Sequence, residues 1–144
     1  MRRVLSRGDY HQRMEQIFYG WEASASRLHP LKDRKQNNVW EISRPKKSEL
    51  HPTQKSIELV IRAIKNSSNM KDVVLDLFGG SGTTLIACEE TERKCRMMEL
   101  DPKYADVIVK RFIDKIGSDN GVYLVRDEEK VSYSEINSEQ VAVK

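Results

Sequence analysis

Val73-Val74-Leu75-Asp76-Leu77-Phe78-Gly79-Gly80-Ser81-Gly82 runs from a short apolar segment through an acid and an aromatic residue into a glycine-rich turn. Thr83-Thr84-Leu85-Ile86-Ala87-Cys88 then begins a helical pattern. The reading is a buried strand, a tight turn where backbone closely approaches a ligand, and a helix N-terminus facing that turn. Open α/β sheets hold nucleotide-like ligands at such turns.

Working outward, a second apolar strand is expected at Cys95–Leu100, with Glu99 near its end. Strand, turn, helix and strand form one βαβ unit, which implies parallel pairing. Asp101 caps a third helix, Pro102 occupies its first turn, and Tyr104, Val107, Ile108 and Phe112 share one face as it runs to about Ile116. Upstream, Thr53 is the expected N-cap of a helix in which Ile57, Val60, Ile61 and Ile64 recur at helical spacing, ending at Asn66–Asn69. Short strands are expected at Glu15–Trp21 and Val39–Ile42, with Tyr19, Trp21 and Trp40 in the core, and Met97 and Met98 are read as core strand residues. A weak hairpin flanks Asp127–Lys130, and the last residues are expected to fray. The organisation is thus a single partial domain over 1–144: a basic, β-rich segment (1–50), a ligand-binding βαβ core (51–116), and a hairpin with a tail (117–144).

Composition sets outer limits. A chain of 144 residues suits one domain. No apolar run approaches the roughly 18 residues of a membrane span, and no signal-peptide core follows Met1-Arg2-Arg3, so a cytoplasmic location is expected. The formal charge of +3 is concentrated in the first 65 residues, which suits a polyanionic partner. Arg34, Lys35, Lys46 and Lys47 are the candidate DNA contacts, although a solvated loop explains them equally. Cys88 and Cys95 are read as structural, because two thiols alone make a poor zinc site. No metal site is expected. His11 and His29 lie in polar loops, and His51 is read as structural.

Three ligands compete for the glycine turn. A nucleoside triphosphate loop needs Gly-Lys-Ser/Thr, and no lysine follows Gly82. The dinucleotide pattern fails at its third glycine, where Leu85 stands, and Asp76 would repel a pyrophosphate. S-adenosylmethionine, with an ammonium group and no phosphate, fits better. Asp76 can meet the ammonium. Glu99, about 20 residues after the turn, can accept from both ribose hydroxyls.

At this point Asp76–Leu85 resembles the cofactor motif of the DNA amino-methyltransferases, which make N6-methyladenine or N4-methylcytosine. His51-Pro52-Thr53-Gln54-Lys55 resembles the family's second cofactor element, and Glu99-Leu100-Asp101-Pro102-Lys103-Tyr104 its ribose-binding strand end. Asp9-Tyr10-His11, Tyr19-Gly20-Trp21, Asp33–Gln36 and Val39-Trp40-Glu41 are similar to prophage-type members. The resemblance covers residues 9 to about 116. It implies a partial Rossmann-like methyltransferase fold of bacterial or phage origin: an α/β, mostly parallel sheet flanked by helices, lacking its catalytic strands. It assigns Asp76 and the turn Phe78, Gly79, Gly80, Ser81 and Gly82 to the methionine end of S-adenosylmethionine. Thr53 and Lys55 are assigned to its carboxylate, Glu99 to its ribose and Tyr104 to the border of its adenine. Leu77 and Ser56 depart from the family by replacing prolines.

One departure is larger. Transfer to an exocyclic amine needs the base flipped out, its amino hydrogens accepted by an Asp or Asn side chain and a carbonyl, and an aromatic stacked on the ring. The family does this with Asp/Asn/Ser-Pro-Pro-aromatic, and the prolines here (Pro30, Pro45, Pro52, Pro102) are never adjacent. No catalytic residue is therefore assigned. The resemblance implies the cofactor-binding portion of a DNA methyltransferase, inactive alone. Two alternatives stay open: a noncatalytic DNA- or cofactor-binding remnant, and a subunit of a split methyltransferase acting on RNA or protein. Without the catalytic strands, the Val73–Phe78 strand would have a bare edge, to be covered by a complementing chain, a homodimer or a rearranged N-terminal segment.

Overall fold

The computed structural model describes residues 14–24, 26–43 and 55–136. Its elements run α1 (Ile57–Ser67), β1 (Val73–Asp76), α2 (Thr83–Glu90), β2 (Lys94–Met97), α3 (Pro102–Ile116), β3 (Tyr123–Arg126) and β4 (Glu129–Ser132). The periodic apolar face of α1 carries Ile57, Val60 and Ile61 onto a small core of Ile64, Ala87 and Cys88, which Val74 and Cys95 reach from the strands. The helix starts later than expected, with Ser56 as N-cap in extended backbone and without a side-chain capping bond. Thr53, His51, Lys46, Lys47 and His11 lie outside the described residues.

β1 and β2 pair in parallel, Val73 opposite Lys94, Val74 opposite Cys95, Leu75 opposite Arg96 and Asp76 opposite Met97. This is the βαβ unit expected from the glycine turn. Among the described residues β1 has no strand on its other side, so its far edge is bare. Arg93 ties the unit to α1: Nη2 donates to the Ser68 carbonyl (2.8 Å), Nε to Ser68 Oγ (3.2 Å), and Nη1 to the Thr91 carbonyl. α3 is capped as read, with the Asp101 side chain accepting from the Lys103 amide (2.9 Å). β3 and β4 form a separate antiparallel hairpin whose turn puts Asp127 and Glu128 at φ 51° and 68°, the left-handed pair that a tight hairpin requires.

Three expectations are corrected. Residues 15–21 and 39–42 form no strand, because neither finds a neighbour to accept and donate its backbone hydrogen bonds. Tyr19 and Trp21 are each 57% exposed, stacked at a tilt with the Arg27 guanidinium 5.3 Å from both rings. Trp40 is half-buried beneath Arg62, whose guanidinium lies 4.6 Å from the ring. Met98 is exposed rather than core, since it lies past the end of β2 and on the uncovered side. His29 has a structural place, joining the loop to Asp72 (3.2 Å) and Asn69 (3.1 Å).

Candidate cofactor-binding site

The C-terminal ends of β1 and β2 lie side by side, and everything of chemical interest extends from them. Asp76 ends β1, and its Oδ1 accepts the Phe78 amide (3.0 Å), folding the chain back into the turn. The Gly79 amide donates to the Met98 carbonyl (2.8 Å), so the turn continues the parallel ladder past β2. The Gly82 amide then donates to the Gly79 carbonyl (2.8 Å), closing the turn before α2.

Glu99 reaches this turn across 19 residues of sequence. Its Oε2 accepts the Gly80 amide (2.6 Å) and its Oε1 the Asp101 amide (3.0 Å). The carboxylate therefore braces the glycine turn against the start of α3. A carboxylate offers about four lone-pair sites, and these two amides each take one.

Between these elements lies a pocket of about 370 Å3, lined by Leu77, Phe78, Gly80, Met98, Glu99, Leu100 and Tyr104. The volume suits a nucleoside-sized ligand, and the lining is apolar apart from the convergent Glu99 carboxylate, the Gly80 backbone and the tyrosine. Leu100 is almost fully exposed and Phe78 nearly so, leaving two large apolar side chains at the rim. The residues fit S-adenosylmethionine: an apolar wall for the adenine, a carboxylate for the ribose, and Asp76 beside the turn for an ammonium. Two carboxylates and no lysine in the turn make a poor phosphate cradle.

The structure separates the three glycines. A side chain on Gly79 would meet Ile108 Cδ1 at 3.0 Å and the Met98 carbonyl at 3.2 Å, and one on Gly82, at φ 76°, would meet Ile108 at 3.1 Å. Their small size makes room for Ile108 on α3 and, at Gly79, also for the end of β2. Only Gly80 borders the pocket with open space, its nearest neighbour being 3.9 Å away. Ser81 is likewise buried, and its hydroxyl lies toward Thr83 and α3.

Of the residues singled out from sequence, Phe78, Gly80, Glu99 and Tyr104 share one pocket, Asp76 shapes it, and Gly79, Ser81 and Gly82 support it from α3's side. Lys55 is exposed, its ammonium held by the Glu15 carboxylate. Arg34 and Lys35 stand exposed in a loop. Arg111 was missed: from α3 its Nη1 donates to the Ser81 carbonyl (2.7 Å), Ser81 Oγ (3.1 Å) and Thr83 Oγ1 (3.3 Å). Its position three residues after Ile108 and seven after Tyr104, on one helical face, was the available signal. The cysteines are structural in setting. Burial pushes the Cys88 thiol up, and burial with Cys88 alongside pushes Cys95 to about 12, so neither is an activated nucleophile. Among the described residues no cluster of ligating side chains could hold a metal ion, and no helix is long and apolar enough to cross a membrane.

Comparison with known proteins agrees with the motif reading. Type II methyltransferase M.Cfr9I of Citrobacter freundii is 32% identical over 97 residues, covering 67% of this chain and 32% of that protein. DNA adenine methyltransferase YhdJ of Escherichia coli (strain K12) is 38% identical over 78 residues, covering 51% of this chain and 26% of that protein. The crystal structure of the M1.HpyAVI–SAM complex aligns at a TM-score of 0.48 with 36% identity, over 58% of this chain and 42% of that one. The chain spans about a third of the length of the curated relatives it matches. The N6/N4 DNA methylase family matches residues 8–110, so the chain belongs to that family of S-adenosylmethionine-dependent DNA methyltransferases.

Proposed function

We propose that this chain is the S-adenosylmethionine-binding portion of a DNA methyltransferase acting on an exocyclic amine, adenine N6 or cytosine N4. The observation that carries the reading is the Glu99 carboxylate, held by the Gly80 and Asp101 amides at the floor of an apolar pocket beyond a parallel strand pair. In this reading Glu99 accepts from the ribose hydroxyls. Leu100, Met98 and Tyr104 pack the adenine. Asp76 and the Phe78–Gly80 backbone hold the methionine end, with Thr53 and Lys55 completing the site at its carboxylate. Bound S-adenosylmethionine supplies the electrophilic methyl group. The chain's residues orient the cofactor and keep water from its apolar end.

The acceptor half belongs elsewhere. No Asp/Asn-Pro-Pro-aromatic motif occurs in this sequence, so nothing here accepts the amino protons of a flipped base. The bare edge of β1 and the exposed side chains of Val73, Leu75 and Leu77 supply the docking surface for that half. A complementing polypeptide would add a strand beside β1 and cover this face, with acidic groups matching Lys94 and Arg96 on the neighbouring strand. Arg34, Lys35, Lys46 and Lys47 contact DNA phosphates only in the completed enzyme.

Calorimetry with S-adenosylmethionine tests the site. Binding that disappears in Glu99→Ala supports it, and no binding to the wild-type chain overturns it. The chain alone should transfer no methyl groups to double-stranded DNA, and adding the relatives' remaining region as a separate polypeptide should restore transfer. Transfer by the isolated chain would refute the two-part reading. Cofactor binding without transfer in any mixture would favour a noncatalytic remnant instead.

A further inference from the structure

We infer that Arg111 is the positioning residue of this site: from α3 it clamps the glycine turn into the shape that holds the cofactor. Tyr104, Ile108 and Arg111 recur at four- and three-residue steps and so share one face of α3. Each takes a different part of the turn. Tyr104 walls the pocket, Ile108 fills the space that side chains on Gly79 and Gly82 would need, and Arg111 grips the stretch between turn and α2.

The grip is built from one guanidinium nitrogen and three oxygens. Arg111 Nη1 lies 2.7 Å from the Ser81 carbonyl, 3.1 Å from Ser81 Oγ and 3.3 Å from Thr83 Oγ1, and both Ser81 and Thr83 are buried. A charge-assisted bond to a backbone carbonyl is stronger than a neutral one, and a polar group so placed is costly to leave unpaired. Burial pulls the guanidinium pKa down, yet it starts so high that the group stays charged at neutral pH. The Phe78, Gly79 and Gly82 amides are bonded to Asp76 Oδ1 and to the Met98 and Gly79 carbonyls, which leaves the Gly80–Ser81 stretch to Glu99 and Arg111. Gly80 and Gly82 sit at φ 53° and 76°, and glycine is the residue with the most backbone freedom to lose. On the pocket side Glu99 holds the Gly80 amide, and on the opposite side Arg111 holds the Ser81 carbonyl. The turn is therefore strung between an anion and a cation, each bonded to its backbone. Releasing the cation leaves Gly80 and its amide free to leave the pocket wall, which lowers cofactor affinity by loss of preorganisation. The link to affinity rests on the proposed cofactor reading, whereas the clamp does not.

The experiment measures amide hydrogen exchange and S-adenosylmethionine affinity on the whole 144-residue chain, wild type against Arg111→Met and Arg111→Lys. In Arg111→Met the amides of Gly79, Gly80 and Gly82 are expected to exchange at least about tenfold faster, while the Val74 and Ala87 amides keep their rates. Cofactor affinity falls about tenfold in step. Arg111→Lys, which keeps the charge but not the planar fork, recovers part of both effects. Unchanged turn exchange in both variants overturns the clamp. So does a uniform acceleration that includes Ala87 in Arg111→Lys, because that marks a general packing role. A wild-type chain that binds no cofactor sinks the pocket assignment alone, and the exchange pattern still decides the clamp.

Discussion

The two faces of the β1–β2 sheet have opposite fates. On one, Val74 and Cys95 reach into the core beneath α1 and α2, where Ile64 is 6% exposed and Ala87 fully buried. On the other, Val73, Leu75 and Leu77 stand uncovered beside Lys94 and Arg96, and Leu75 is 65% exposed. Parallel sheets are ordinarily covered on both faces, and their strands read as continuous apolar runs for that reason. Val73-Val74-Leu75 is such a run, written for two covered faces and given one. The contrast separates the side chains that hold the chain together from those the proposed complementing region would cover.

The sharpest way to break this contrast is to truncate one residue on each face. Ile64→Ala should cost about 2–5 kcal/mol through lost burial and a residual cavity, whereas Leu75→Ser should shift stability by less than about 0.5 kcal/mol. Urea unfolding measures both, and equal costs would mean that the exposed face is not bare in solution. Next in size is the turn. Gly82→Ala places a methyl against Ile108 at a left-handed φ, with an expected loss of about 1–3 kcal/mol. Because the methyl would meet Cγ1 and Cγ2 of Ile108, Ile108→Val in the same chain, which removes only Cδ1, should recover none of it. Leu75→Asp should leave the chain's own unfolding unchanged and weaken assembly with a complementing region at least tenfold, about 1.4 kcal/mol. Retained assembly would move the docking surface off this face.

Smaller effects sharpen the covered side. Asp101→Ala removes the cap of α3 and should cost about 1 kcal/mol in thermal unfolding. The smallest is a pH effect. Cys95 titrates near 9.0 when exposed and at about 12 in the fold, so its neutral form is favoured by folding. That contribution is complete below pH 9.0 and declines as pH rises toward about 12, because the unfolded chain loses the proton first. Between pH 8 and pH 11 the melting temperature of wild type should therefore fall more steeply than that of Cys95→Val. Parallel slopes would place Cys95 in a wetter setting than the covered face allows.

Much of this was legible because it is local. The α1 periodicity, the strand–glycine–helix run, the Asp101-Pro102 start and the hairpin all depend on residues within a few positions of one another. The strands expected at 15–21 and 39–42 failed for the complementary reason. Aromatic and β-branched residues favour a strand only where a neighbour completes the ladder, and none is present among the described residues. Met98 was misjudged because an apolar residue at a strand end reveals nothing about which face is covered.

The sequence by itself determined the order of elements, the acids at the end of β1 and just beyond β2, and the lack of a Pro-Pro motif within these 144 residues. Those properties follow from backbone propensity, capping and residue identity, which act over a turn or less. Only the tertiary structure decided that Gly79 and Gly82 make room for Ile108, that Glu99 braces Gly80, and that Arg111 holds Ser81 across 30 residues. It also decided which sheet face is left uncovered. Contacts between distant segments depend on how helices and strands stack in space, and no local rule carries that information.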